Sequence, residues 1–80
     1  MAGKNQNQLD AALQPVGAAL DRWAWQRLQD SHPILAGALE VAIAQGAQPA
    51  EVRRYVIEHT HQTELAGFVE QAARWLANNP

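Results

Sequence analysis

The chain of 80 residues contains no cysteine. Disulfides and thiolate metal sites are therefore excluded, and with them two common supports of a small domain. Nucleophiles are scarce as well: one serine (Ser31), one tyrosine (Tyr55) and one lysine (Lys4). The five glycines are scattered and build no phosphate-cradling loop. No run of about 18 apolar residues is present, so no membrane-spanning segment is expected. Met1 to Asn7 lacks the apolar stretch of a secretory signal. Neither sign of charge is concentrated. Six basic and eight acidic residues give a net charge of −2, without the basic block that nucleic acid attracts or the acidic block of an interaction tail. Together these absences point to a cytoplasmic protein that is not an enzyme and uses no cofactor.

What is present favours helix. Alanine, the best helix former, supplies 16 of the 80 residues. No segment alternates with period two, so strands are not expected. Eighty residues allow one domain, and a chain this short buries only about 60% of its unfolded surface. Stability must then come from close helix packing or from a partner. Three tryptophans can each contribute a large buried area. Arginine outnumbers lysine five to one, a bias found in GC-rich bacterial or phage genomes.

The expected fold is all-α: a small bundle of three to four short helices in one domain over residues 8–80, after a disordered polar tail at 1–7. Leu9, Leu13, Val16, Leu20 and Trp23 recur at steps of three and four, the spacing of one helix face. Pro15 interrupts them. It either kinks one helix or begins a second, and the favoured expectation is a helical turn at 9–14 followed by a helix at 15–29. Ser31 can cap a helix at 32–45, which Gly46 ends. That helix is apolar round most of its circumference, so it is expected at the centre of the bundle. A third helix at 49–59 turns Val52, Tyr55, Val56 and His59 inward. A break at Thr60–Thr63, with Thr63 as cap, precedes a last helix at 64–77, on which Glu70 and Arg74 can pair. A rival reading fuses the last two into one.

Chemistry-bearing residues are few. Ser31 precedes His32, but adjacency does not make a nucleophile–base pair, and a helix cap is the simpler role. His59 and His61 stand two apart, the wrong spacing for metal ligation from one helix face. The strongest local pattern is Ala42, Gly46, Val52 and Tyr55. It resembles the helix-turn-helix spacing of bacterial repressors: a small residue at the crossing, a glycine at the turn and a branched residue in the angle. A DNA-binding reading would use Gln48, Arg53 and Arg54 in the major groove. Against it stand the acidic balance and the presence of Glu51, Pro49 and Ala50 on the same helix start. The same residues also describe an ordinary helical corner.

Trp25 falls on the side of its helix opposite the apolar stripe. It is either covered by Leu9 and Leu13 folding back across Pro15 or offered to a partner. Tryptophan and arginine are enriched at binding hot spots. The leading expectation is therefore a non-enzymatic protein–protein interaction module, with Trp25, Arg22, Arg53 and Ile57 as its contact residues. The partner is another protein or a second copy. Its size and acidity suggest the small helical inhibitors of phages and mobile elements, or a small regulatory subunit.

Overall fold

In the computed structural model the backbone is described from Ala2 to Pro80, and side chains from Gln8 onward. Four helices follow one another: α1 (Ala2–Ser31), α2 (Pro33–Ala44), α3 (Pro49–Thr60) and α4 (Thr63–Asn78). No strand occurs among the described residues. The protein is a small all-α bundle, as the composition implied. Of the disordered tail expected at 1–7, Met1 lies outside the described residues, while the backbone from Ala2 to Asn7 forms the first turns of α1.

Local sequence explains most of the helix ends. Pro33 and Pro49 each occupy a first helical turn, where a missing N–H costs nothing. Ser31 closes α1 rather than opening α2. Its hydroxyl donates to the Arg27 carbonyl at 2.8 Å, and the single residue His32 joins the two helices. Gly46 ends α2 with φ +102°. Its N–H donates to Ile43 O at 3.0 Å and that of Ala47 to Ala42 O at 3.0 Å, the two bonds of a Schellman stop. Glu51 accepts the Gln48 N–H at 2.9 Å and so helps to start α3. The break between α3 and α4 is real. His61 is left-handed, φ 58°, and its N–H reaches Ile57 O at 2.8 Å. Gln62, not Thr63, is the capping residue of α4.

Pro15 neither begins a helix nor ends one, which corrects the expected turn at 9–14. It lies inside α1, which is continuous. Ala11, Ala12, Ala18 and Ala19 flank it, and their high helix propensity offsets part of a penalty of about 3 kcal/mol. The orphaned Ala11 carbonyl lies on an exposed stretch, where water can satisfy it.

The core is small and half alanine: Ala24, Trp25 and Leu28 from α1, Ala36 and Leu39 from α2, and Val69, Ala72 and Ala73 from α4. Alanines let the helix axes approach closely. The hub is α4, which packs against all three other helices, whereas α2 and α3 scarcely meet. The expectation that α2 is central is thus overturned. Ile34 is 89% exposed and Val41 60%. A bundle of this size has room for one helix in contact with all the others. The amphipathic α4 takes that place with its run of small inward residues, and the surplus apolar side chains of α2 face outward. Tyr55 and His59 are exposed as well, stacked on each other with ring centroids 3.8 Å apart. Val52 and Val56 alone of the expected inner face pack on the core. Glu70 and Arg74 do not pair along α4. Arg74 instead reaches Asp21 of α1 at 3.4 Å, and Glu70 pairs with Arg53 of α3 at 3.8 Å. All four side chains retain solvent contact, so each pair contributes below about 1 kcal/mol.

Candidate interaction surface

The most unusual surface lies on α1. At 1.5 Å per residue its 30 residues span about 45 Å, which accounts for the long axis of a molecule measuring 47 × 25 × 24 Å. Core packing by α1 begins only at Ala24, and every described residue from Gln8 to Leu20 is exposed. This arm carries the apolar stripe. Leu9 is 59% exposed, Leu13 57%, Val16 51%, Leu20 49% and Trp23 55%. The Trp23 ring meets the edge of Phe68 of α4, with centroids 6.1 Å apart. Because α1 does not bend back at Pro15, the stripe from Leu9 to Leu20 stays exposed among the described residues. The stripe and the core face of α1 (Ala24, Trp25, Leu28) diverge by roughly 110° at about 100° per residue.

The four residues expected at the contact surface have other surroundings. Trp25 is 8% exposed and belongs to the core. Its position opposite the stripe is correct, but the stripe is the uncovered side and Trp25 the covered one. Leu9 and Leu13 do not cover it either; α2 and α4 do. Arg22 holds its guanidinium 5.9 Å from the centroid of Trp75. Arg53 turns to Glu70, and Ile57 is half-buried. Since Trp75 and Glu70 lie on different sides of α4 by the helical step, Arg22 and Arg53 do not share one patch. The stripe was visible in the sequence as a run of periodic leucines. Periodicity alone cannot say whether such a face is covered from within or from without.

The residues of the alternative site are exposed: Gln48, Arg53 and Arg54. The Gly46 turn forms as a helix-turn-helix would need. The tight corner does not. Between α2 and α3 runs an open apolar groove of about 350 Å³, lined by Ala42, Val52 and Tyr55 among others, with Val69 at its floor. A larger open cleft of about 570 Å³ lies between the Gly46 turn and the end of α4, and Glu40 is its one charged side chain.

The polar residues that might carry chemistry serve helix ends. The Ser31 hydroxyl proton goes to Arg27 O, so the 2.8 Å contact with His32 Nδ1 requires the ring N–H to donate to Ser31. That is the reverse of a base activating a hydroxyl. The His59 ring donates from Nδ1 to Tyr55 O at 2.9 Å. No group of three or more His, Asp or Glu side chains converges as a metal site among the described residues. Among them, too, no helix is long and apolar enough to cross a membrane. Comparison with known protein families, with curated proteins and with solved structures returned no match.

Proposed function

We propose that this protein is a helical protein–protein interaction module whose binding face is the apolar stripe of α1. One observation carries the reading: five large hydrophobic side chains stand in a row, each about half exposed, on an arm outside the bundle. Scattered apolar residues on a surface mean little, but a contiguous patch of this size marks an interaction site. The arm also needs a partner for its own sake. A helix of some 20 residues bearing an internal proline is marginal in water without tertiary contacts. Trp23 at the inner end of the stripe supplies the rigid aromatic anchor typical of binding hot spots. Small inhibitors and small regulatory subunits are the functional types that suit a non-enzymatic module of this build.

The test compares partners captured from host lysate by the wild-type chain with those captured by Leu13→Glu and Leu20→Glu. Both substitutions are on exposed positions, so helicity should survive. Loss of the same partners from both variants is the expected result. Unchanged capture by both would sink the reading.

DNA binding is a second reading, favoured by the Schellman turn at Gly46 and by exposed Arg54. Gel-shift binding that weakens steeply with salt would support it. Absence of a shift at low salt removes it.

A further inference from the structure

We infer that the stripe is covered by a second copy of this chain, with the two α1 arms packed antiparallel about a two-fold axis near Ala18; this rests on the stripe being a binding face. The spacing is the first argument. Leu9, Leu13, Val16, Leu20 and Trp23 follow steps of 4, 3, 4 and 3, the alternation of the two core positions in a coiled-coil seam. A face that fits a general apolar groove has no need of that rhythm; a face that meets another helix lengthwise does. Arg27 stands at the next seam position and is exposed.

Charge decides the direction. A parallel, in-register pair would set Arg27 against Arg27 of the partner subunit inside the seam. In the antiparallel pair, residues whose numbers add to about 36 lie level. Val16 then meets the partner's Leu20, and Leu13 meets the partner's Trp23. Arg27 falls beside the partner's Leu9, with the partner's Asp10 next to it to receive the guanidinium. The arrangement also carries the two bundles to opposite ends, leaving each arm along the Trp23 face of the other. The positions flanking the seam in the middle of the arm, Ala12, Gly17 and Ala19, are small and exposed, which permits close approach.

The area is sufficient. Five half-exposed side chains, one of them tryptophan, present on the order of 500 Å² of apolar surface. A standard interface covers about 800 Å² per partner, rather more than half of it apolar.

The absence of native cysteine makes the test clean. Sedimentation should give a mass twice the 8.8 kDa of the chain, and Leu20→Glu should return it to that of one chain with its helicity intact. Ala19→Cys, beside the two-fold axis, should oxidise to a covalent dimer. Gln8→Cys lies about 30 Å from its symmetry mate in this packing and should not. Oxidative linkage of Gln8→Cys would overturn the antiparallel arrangement. A wild-type monomer at all concentrations up to about 1 mM would overturn self-pairing altogether. Loss of lysate partners from both Glu variants in that case would leave the binding-face reading standing, so the two failures are distinguishable.

Discussion

Two tryptophans separated by one residue should respond oppositely to truncation. Trp25 is 8% exposed and packs among Ala24, Leu28, Ala36, Leu39 and the small residues of α4; Trp23 is 55% exposed. Trp25→Ala removes the largest side chain of a core otherwise half alanine, so little can move in to fill the space. The expected cost is about 3–5 kcal/mol, that of a buried aromatic truncation. An 80-residue domain has a stability of about 4–12 kcal/mol in all, so the variant would be on the edge of unfolding. At roughly 4–8 °C per kcal/mol for a domain this small, the melting temperature should fall by about 12–40 °C. Trp23→Ala loses only a half-exposed ring and its edge contact with Phe68, about 1 kcal/mol. Urea denaturation followed by circular dichroism reads both values. It should be run at a concentration too low for self-association, since a bound partner adds apparent stability. A Trp25→Ala cost below about 1 kcal/mol, or equal costs for the two variants, would refute the assignment of core and seam.

Other expectations concern the backbone. Gly46→Ala places an L-residue at φ +102° with no atom within 4 Å of the new Cβ, so the penalty is conformational alone, about 1–2 kcal/mol by the same urea titration. His61→Gly relieves a left-handed, exposed residue and should stabilise the chain by up to about 1 kcal/mol, visible as a raised midpoint. Pro15→Ala restores the N–H donor toward Ala11 O. Hydrogen exchange across residues 8–20 should slow, by up to about 100-fold for a gain near 3 kcal/mol, while the melting point of the bundle moves little. Unchanged exchange in that arm would mean that Pro15 costs α1 nothing.

Much of the fold was legible because the signals were local. Pro33, Gly46, Pro49 and the Thr60–Thr63 break carry their meaning in their own backbone chemistry. The position of α2 and the environment of Trp25 were not legible, for a common reason. An apolar face specifies that it should be covered but not by what. The spacing of Leu9, Leu13, Val16, Leu20 and Trp23 defines one face of α1 and puts Trp25 on the other, without saying which face is covered. In the folded chain the small residues of α4 claim Trp25 and leave the leucines free. Of the two roles open to Pro15, the structure takes the one inside a continuous helix, since a single unfavourable residue among good helix formers need not end a helix.

The continuity of α1 across residues 20–24 ties the seam to the bundle by phase. One inserted residue between Leu20 and Asp21 would turn Leu9–Leu20 by roughly 100° about the helix axis relative to the bundle, keeping the Asp21–Arg74 and Trp23–Phe68 contacts but parting Trp23 from the rest of the stripe. Such a chain would fold normally and aim its leucines in a different direction. Seven inserted residues would restore the aim to within about 20° and move the seam outward by about 10 Å. The length of this segment therefore works as a dial. Evolution or design can rotate the leucine face around the bundle by counting residues.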